Sequence, residues 1–591
     1  MTEIWLPRKE IQQQAGILTF ITWSDVTGSR MGLDELRMLI SSMCTEALMN
    51  LISTISIIQT NTPRWDLSFI HSQQCNLARN ICTPEIAGKV ERLITTGRRD
   101  VLAHEEQLLL GARLALLYGQ PGPAEIPAEN ALGKLGEFLL GVSEVLQSGE
   151  DISPAPDELM VSLVLRRQAN SRNEQLRYCL ARYFDLLVMR TCRVSQPECD
   201  LDKAFLEKIG LAIEEYMALA FMYLSPFYNV TEVMQLQAMG FHDVIKRYEE
   251  QIRTPELREQ CRQLFSQDAS GFRADLQADA CDTARYSFLP FKRKPLFRTV
   301  NGSAIPISLP FLIETVAMGA YWHLLDYYSA IGGRKGVQTF AGYMGKLFQP
   351  YVTELLERTY TGAGCGDQHF YGEQEIIASS PKAPQGEHPP FDGILISEKS
   401  IVIFEMGVMS LTATIMEQAD PAHYIESLKR DFVRKIEKQL NRAFQGIAEG
   451  IWSAPGLDRS KILHVYPVLA LLHPFPQAVA TWKPLWEVAL PRGWYRCGGE
   501  VLMTQVYEPQ ILVAEELEML EPRLHEDELR LPALLKRKLS NSTTAGISMK
   551  NYLLNYLQVK ERPNDHMLVL FKTATDRLIA SLSALLNLAP K

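Results

Sequence analysis

The spacing of apolar residues divides the chain into two parts near residue 335. Before this point, segments such as Leu33–Ile58 are rich in Leu, Ile and Met and contain no Pro or Gly. Two triplets, Thr83-Pro84-Glu85 and Thr254-Pro255-Glu256, combine a hydroxyl cap, a first-turn proline and an acid, which is typical of helix starts. The sequence therefore predicts a large all-helical region over residues 1–335.

After residue 335, strand-like segments alternate with helices, which predicts an α/β domain over residues 336–591, including C-terminal accessory elements. Met344–Tyr360 predicts a helix, because its apolar residues form one stripe at spacings of three and four, and Pro350 predicts a kink or a late start. A second amphipathic helix carries Ile425, Leu428, Phe432, Ile436, Leu440, Ala443 and Ile447 on one face. Strands are predicted over Glu375–Ile377, Phe391–Ile396, Ile401–Met406 and Ile462–Leu472. The predicted order of elements is α-β-β-β-α-β.

The second and third of these strands predict a hairpin with a carboxylate pair. If Glu398 and Lys399 form the tip, paired residue numbers sum to 797, so Asp392 lies directly opposite Glu405. Cross-strand neighbours have Cβ atoms about 4.5–5.5 Å apart, and two like charges there destabilise a sheet unless a cation lies between them. A hard divalent cation such as Mg²⁺ suits such oxygen ligands. The alternative is a pair of solvated acids near a strand end, and a register slip of one residue would separate them.

This arrangement resembles the PD-(D/E)XK nuclease superfamily. The resemblance covers roughly residues 340–475, and its motif residues are Gly345–Gln349, Pro390–Gly393, Ile403–Gly407, Lys435, Gln439-Leu440 and Tyr466–Val468. It implies a restriction-endonuclease-like core, with Asp392 and Glu405 as ligands of Mg²⁺ or Mn²⁺. A lysine two residues after the glutamate would hold the attacking water. Ile511–Val513 and the acidic segment after it would add an edge strand and a helix.

Two positions depart from the family pattern. The lysine position is Gly407, and Gln349 stands in the first core helix where active members often have glutamate. A lysine could instead reach the site from the second helix, where residues 428–442 contain six basic and two acidic side chains. Lys435 is the first candidate, because it shares a helix face with Gln439, and Lys438 is the second. The alternative is a solvated helix face with ordinary charge pairs.

Other motifs are less specific. Phe291–Arg298 interleaves basic and aromatic residues, which suits either a single-strand groove or a surface loop, and we favour the loop. Lys536-Arg537-Lys538 is a similar basic segment and a weaker candidate for nucleic-acid binding. The segment from Gly362 to His369 is rich in glycine but lacks a P-loop lysine, so we interpret it as a flexible connection before the first strand.

Composition narrows the class of protein. Of the 591 residues, 46% are hydrophobic and 22% are charged, as in soluble globular proteins, and the formal net charge is -9. That charge excludes a protein that coats DNA nonspecifically. We expect neither a transmembrane helix nor a secretory signal, and we interpret the ten cysteines as buried free thiols in a reducing cytoplasm.

The leading hypothesis is therefore a Mg²⁺-dependent nuclease that acts on DNA in the cytoplasm, with RNA as the second substrate class. The alternative is a degenerate nuclease-like domain that binds nucleic acid or protein without cutting it. The resemblance suggests a role in restriction or phage defence and a protein partner in a multi-subunit system, but no membrane partner. A further alternative is that the α/β assignment is itself wrong.

Overall fold

The structure, a computed structural model, describes most of the chain. It covers residues 20–62, 67–99, 101–122, 129–148, 175–191, 194, 199–241, 243–278, 287–361, 366–384, 386–409, 421–433, 435–477, 495–497, 500–502, 505–525, 529–560 and 562–586. These residues form a mostly helical chain with three sheets, of three, six and two strands. The predicted combination of helices with mixed sheets is confirmed at this coarse level.

The first part of the chain is built mainly from short helices. They are α1 Trp23–Thr27, α2 Leu33–Ser41, α3 Thr45–Asn61, α4 Leu67–Ile81, α5 Pro84–Thr95, α6 Glu105–Tyr118, α7 Glu129–Ser148, α8 Leu176–Phe184, α9 Leu201–Ile209, α10 Ile213–Leu224, α11 Val233–Ala238, α12 Val244–Glu250, α13 Pro255–Phe265, α14 Ala269–Ala278 and α15 Leu289–Arg293. A π-helical turn over Asp185–Met189 extends α8. Both predicted helix starts are confirmed, since Thr83 and Thr254 cap α5 and α13 with their hydroxyl groups.

The prediction of an all-helical first part is wrong in one place. Strands β1 (Ser266–Asp268), β2 (Leu296–Arg298) and β3 (Ala304–Pro306) form a small mixed sheet. β1 pairs with β2 in parallel, and β2 pairs with β3 in antiparallel orientation. Each strand has three residues, too few for an alternating pattern to appear in the sequence.

One long helical element, α16, spans Leu309–Thr359 and crosses position 335. Its backbone is non-helical at Gly333, where φ is 52° and ψ is -135°, so two helices meet there; a positive φ of this kind favours glycine. The predicted core stripe is confirmed, because Met344, Leu347, Phe348, Tyr351, Val352, Leu355 and Leu356 are all buried. Pro350 lies inside the helix, so the late start predicted there is wrong; the kink predicted at Pro350 stays a prediction.

The second part contains eight further strands and the remaining helices. They are β4 Gln368–Gly372, α17 Glu373–Ala378, β5 Gly393–Ser397, β6 Ser400–Gly407, α18 Pro421–Ser427, α19 Asn441–Glu449, β7 His464–Leu471, β8 Tyr495–Cys497, β9 Glu500–Leu502, β10 Gln505–Val506, β11 Gln510–Val513, α20 Ala514–His525, α21 Leu531–Leu539, α22 Ser542–Ala545, α23 Met549–Asn551 and α24 Asp565–Leu585. Helical turns of π type cover Leu428–Val433, Ile436–Leu440 and Tyr552–Tyr556, and a 3₁₀ turn covers Arg459–Lys461.

The six-stranded sheet has the order β10-β7-β6-β5-β4, and β11 also pairs with β7. β5 is antiparallel to both β4 and β6, whereas β7 is parallel to β6, β10 and β11. The predicted strands at 391–396, 401–406 and 462–472 are confirmed, as are the later strand and acidic helix. The strand predicted over Glu375–Ile377 is wrong: these residues lie in α17, and the first strand, β4, precedes them.

The two faces of this sheet pack against different helices. Leu395, Val402 and Phe404 face the core that contains the stripe of α16. Ile394, Ile396, Ile401 and Ile403 face the other core, which contains the predicted apolar face of the second amphipathic helix. That helix therefore covers the sheet face on which Asp392 and Glu405 fall by alternation.

The two parts of the chain share one hydrophobic core, which extends from Ile21 to Leu586. A buried ion pair also joins them, since Arg182 of α8 donates to Glu518 of α20 across 2.7 Å and both side chains are fully buried. The domain boundary at residue 335 stays a prediction. Among the described residues, every helix is too short or too polar to cross a bilayer.

Candidate active site

The predicted hairpin is confirmed in its register. Five residue pairs, from Gly393 with Phe404 to Ser397 with Ser400, all have numbers that sum to 797. This leaves Glu398 and Lys399 at the tip, where Glu398 has a positive φ of 44°. The alternation of faces therefore holds up to the end of the hairpin at which the two carboxylates lie.

Asp392 lies one residue before β5 and is held by the backbone of β6. Its N–H donates to the Phe404 carbonyl across 2.9 Å. Its Oδ2 accepts a hydrogen bond of 2.6 Å from the Met406 N–H. The carboxylate is thus fixed beside the strand that carries Glu405, itself 4% exposed.

Lys435 reaches this pair from the amphipathic helix. Its Nζ lies 2.7 Å from Glu405 Oε1 and 3.4 Å from the Met406 carbonyl oxygen. A Cβ built on Gly407 would lie 2.8 Å from the same Nζ, so the ammonium occupies the space that a side chain at position 407 would enter. Lys438, the second candidate, is exposed on the solvent side of the helix. The structure therefore brings Lys435, and not Lys438, to the carboxylates.

A third carboxylate lies nearby, and the sequence analysis missed it. Glu373 is the first residue of α17, and its Oε2 accepts a hydrogen bond of 3.1 Å from Gln349 Nε2. Its Oε1 lies 2.7 Å from His388 Nδ1. Position 349 therefore does not supply the carboxylate that active family members often have there; its amide instead binds the carboxylate of Glu373. One feature of the sequence could have revealed α17: Gly372 is followed three residues later by Glu375, a spacing typical of a helix start. In the structure the Glu375 carboxylate accepts from the Gly372 N–H, and Glu373 is the first residue of the helix.

Burial and mutual repulsion raise the pKa of both carboxyl groups at this site. The pKa of Asp392 is raised to about 7, first because the group is buried and second because Glu405 lies beside it. The Met406 N–H and Lys435 oppose this rise. Burial also raises the pKa of Glu405, against the lowering effects of Lys435 and of a hydrogen bond to Gln439. Glu373 raises the pKa of both groups, so it belongs to the same electrostatic cluster.

The donor chemistry of the site suits a hard cation. Asp392, Glu405 and the Met406 carbonyl all present oxygen, which Mg²⁺ prefers, and Mg²⁺ commonly binds through one or two carboxylates while it keeps several waters. The mutual repulsion that raises the pKa of Asp392 is what such a cation would relieve. Across the described residues, however, no three His, Cys, Asp or Glu side chains converge as a ready-made ligand set.

The other predicted motifs lie elsewhere and have structural roles. In Phe291–Arg298, Phe291 and Phe297 are buried in the core, and Arg298 pairs with buried Glu249 across 2.7 Å. The segment is a short helix followed by a strand, so both the groove and the surface loop are wrong.

The remaining two motifs are the glycine-rich segment before the first strand and a basic segment near the C-terminus. Residues 362–365 lie outside the described residues, and Gln368 and His369 belong to β4. Lys538 is buried and donates to Gln510 and Ala545, and burial lowers its pKa to about 7. Lys536 and Arg537 are exposed.

The six cysteines resolved as free thiols are Cys44, Cys75, Cys82, Cys179, Cys199 and Cys261. All but Cys44 are buried, in accordance with the prediction of buried thiols.

Comparison with known proteins gives no relative from which a role could be transferred. No protein-family model, no curated protein and no solved structure matches the chain.

Proposed function

We propose that this protein is a divergent Mg²⁺-dependent nuclease of the PD-(D/E)XK type that hydrolyses phosphodiester bonds in DNA. The observation that carries the proposal is the position of Lys435. Its ammonium lies against Glu405 and fills the space beside Gly407, which is where the motif lysine of the resembling family would begin. The chain thus retains two carboxylates and an ammonium in one place, although the lysine comes from another element.

The order of elements supports the same proposal. The long helix α16 precedes strands β4, β5 and β6, and the short helix α17 lies between β4 and β5. A helix follows, and β7 then adds to the sheet in parallel with β6. Asp392 immediately precedes the second of these strands, and Glu405 lies on the third. Apart from α17, this order corresponds to the α-β-β-β-α-β arrangement that the resemblance implies.

The side chains would divide the work as follows. Asp392 and Glu405 would hold Mg²⁺, which supplies an acidified water and stabilises negative charge on the phosphate. Lys435 would orient the attacking water and neutralise charge that develops on the phosphate oxygens. Gln439 hydrogen-bonds Glu405 and keeps that carboxylate in place. A role in restriction or phage defence, and action on RNA, stay predictions.

A second candidate is a degenerate domain that binds nucleic acid or a protein partner without cutting. The observation in its favour is the ion pair between Lys435 and Glu405, which already satisfies one of the two carboxylates. The absence of a three-residue ligand set within the described part of the chain points the same way. The exposed basic residues of the helix, such as Lys438 and Arg442, would then serve binding alone.

Cleavage assays separate the two candidates. Single- and double-stranded DNA and RNA would be incubated with the full chain and Mg²⁺ or Mn²⁺, using wild type, Asp392→Ala, Lys435→Ala and, as a control, Lys429→Ala. The nuclease proposal predicts that the first two substitutions lower the cleavage rate by at least about 100-fold, while the exposed control stays close to wild type. Salt-sensitive binding without any cleavage would instead support the binding module.

A further inference from the structure

Three carboxylates form a row across one end of the six-stranded sheet. Gly372 pairs with Gly393, so Glu373 directly follows this pair at the end of β4 and Asp392 directly precedes it at the start of β5. The register of β5 with β6 places Glu405 opposite Asp392 on the next strand. Because neighbouring strands lie about 5 Å apart, the row spans about 10 Å. Glu373 raises the pKa of both other carboxyl groups, which agrees with this proximity.

Each end of this row carries a nitrogen group. At one end, Lys435 Nζ lies 2.7 Å from Glu405 Oε1. At the other end, His388 Nδ1 lies 2.7 Å from Glu373 Oε1. A phosphate held at the middle of the row, beside Asp392, would therefore have the ammonium on one side and the imidazole on the other.

Both oxygens of Glu373 hold a neighbouring side chain. Gln349 Nε2 donates to Oε2 across 3.1 Å, and His388 Nδ1 contacts Oε1. A carboxylate only accepts hydrogen bonds, so Nδ1 carries the proton of this bond. The bond fixes the orientation of the ring and leaves Nε2 as the nitrogen that can exchange a proton.

The imidazole of His388 is open to a substrate. Its side chain is 71% exposed, and among the residues that the structure describes the ring hydrogen-bonds Glu373 alone. An exposed pair of this kind contributes little to stability. The pair also does not complete a metal site, since no three His, Cys, Asp or Glu side chains of the described residues form a ligand set. An imidazole that is fixed at one nitrogen and accessible at the other is suited to proton transfer.

The segment that joins His388 to Asp392 is short and stiff. Pro389 and Pro390 follow the histidine, and the proline ring fixes φ at about -65°. Phe391 is 2% exposed and packs in the core between the sheet and the second amphipathic helix. Four residues of extended chain span at most about 14 Å, so the imidazole stays close to the row.

Phosphodiester hydrolysis gives the two ends of the row different tasks. The attacking and leaving oxygens lie roughly in line on opposite sides of the phosphorus. In the proposed function Lys435 orients the attacking water, so the leaving oxygen points toward the other end of the row, where His388 lies. A sugar alkoxide leaves slowly unless it receives a proton, so an acid at this end would accelerate the reaction.

From this geometry we propose that His388 is the general acid that protonates the leaving sugar oxygen, with Glu373 and Gln349 as positioning residues. The inference rests on the proposed function, because it needs the nuclease reaction at Asp392 and Glu405. The bond from the water oxygen to phosphorus forms, the bond from phosphorus to the sugar oxygen breaks, and Nε2 of the imidazolium gives its proton to that oxygen. The attacking water releases one proton to solvent and the imidazole then takes one up, so each cycle consumes one water.

Sulfur in place of the leaving oxygen tests this role, because a thiolate leaves without a proton. The full chain would be incubated with Mg²⁺ and DNA that carries oxygen, 3′-bridging sulfur or 5′-bridging sulfur at the cleaved linkages. We expect His388→Gln to slow cleavage of the oxygen linkage about 100-fold but to stay within about threefold of wild type on one of the two sulfur linkages. Glu373→Gln should show the same pattern with a loss of about tenfold. His369→Gln, at an exposed histidine of β4, is the matched control and should cleave all three DNAs as wild type does.

Stabilisation by Mg²⁺ gives a second readout that needs no cleavage. His388→Gln should gain as much thermal stability from MgCl₂ as wild type does, whereas Asp392→Asn should lose this gain. A loss of the gain in His388→Gln would indicate a metal ligand and overturn the general acid. Equal slowing of His388→Gln on oxygen and on both sulfur linkages, or no slowing on any, would also overturn it and leave the nuclease standing. Absence of Asp392-dependent cleavage of all three DNAs would remove the nuclease together with its acid.

Discussion

Glu249 and the Asp392–Glu405 pair are both buried acidic sites, but their charges are balanced in opposite ways. Glu249 is fully buried and contacts two guanidinium groups, Arg298 across 2.7 Å and Arg262 across 3.0 Å. It also accepts a hydrogen bond from the Tyr223 hydroxyl. At the candidate site, two carboxylates share the one ammonium of Lys435.

The comparison separates a structural carboxylate from a functional one. A buried charge that has all its partners holds a fold together, and removing one partner is costly. A buried pair of like charges with one cation destabilises the fold at neutral pH, and such arrangements cluster at functional sites. We therefore expect substitutions at the two sites to change stability in opposite directions.

The largest effect is expected at the structural site. Arg298→Met removes both the pairing with Glu249 and hydrogen bonds to Ser266 and Gly302. It should lower the free energy of unfolding by about 3 kcal/mol, because a buried carboxylate loses a partner. Urea unfolding at pH 7 measures the change. Arg577→Met, which breaks an exposed pair with Glu214, is the control and should cost less than about 1 kcal/mol. Equal costs would show that Glu249 is not a structural centre.

Asp392→Asn should have the opposite effect at neutral pH. The pKa of Asp392 is raised from its ordinary value of 3.8 to about 7 in the folded protein, so the folded state retains a proton that the unfolded state releases. The resulting stabilisation is complete below pH 4 and is lost as the pH rises to 7 and above. Relative to wild type, the variant should gain about 1–2 kcal/mol between pH 4 and pH 8, after allowance for solvent screening.

Urea unfolding at several pH values checks this prediction. The asparagine can still accept the Met406 hydrogen bond, so the comparison isolates the charge. A difference between the two proteins that is constant from pH 4 to pH 8 would contradict the raised pKa of Asp392.

Mg²⁺ should sharpen the contrast between the two sites. If the carboxylates bind the ion, wild type gains about 1.4 kcal/mol of stability at a Mg²⁺ concentration tenfold above the dissociation constant. Asp392→Asn should lose most of this gain, whereas Arg298→Met should keep it. Thermal unfolding with MgCl₂ and with NaCl of equal ionic strength measures the specific effect. An equal gain in all three proteins would exclude a cation site at Asp392.

The hairpin and its lysine could be predicted because local patterns determine them. Successive side chains of any strand point to opposite faces, and the two-residue turn between Gly393–Ser397 and Ser400–Gly407 fixes the register. Lys435 and Gln439 are four residues apart beside the apolar stripe, so their common face follows from helical geometry.

Other features depended on contacts that no local pattern reveals. α17 has six residues, too few to show a helical period, and its Ile376-Ile377 pair favours a strand on propensity alone. Glu373 joins the site because Gln349, 24 residues earlier, and His388, 15 residues later, both contact it.

The smallest change in stability, and the most specific test of the comparison, is expected for Gly407→Ala. The new methyl group would lie 2.8 Å from Lys435 Nζ, which is the end of a flexible side chain and can move away. The backbone at position 407 does not have a positive φ, so alanine fits the strand and stability should change by less than about 1 kcal/mol.

The ammonium, however, would leave Glu405, and the charge imbalance of the site would increase. Cleavage, where present, should fall toward the level of Lys435→Ala although the fold is intact. Gly342→Ala, on an exposed helical position with no atom within 4 Å of the new Cβ, is the matched control and should keep full activity. A Gly407→Ala protein that cleaves like wild type would show that the ammonium does not act from beside position 407, which removes the observation on which the nuclease proposal depends.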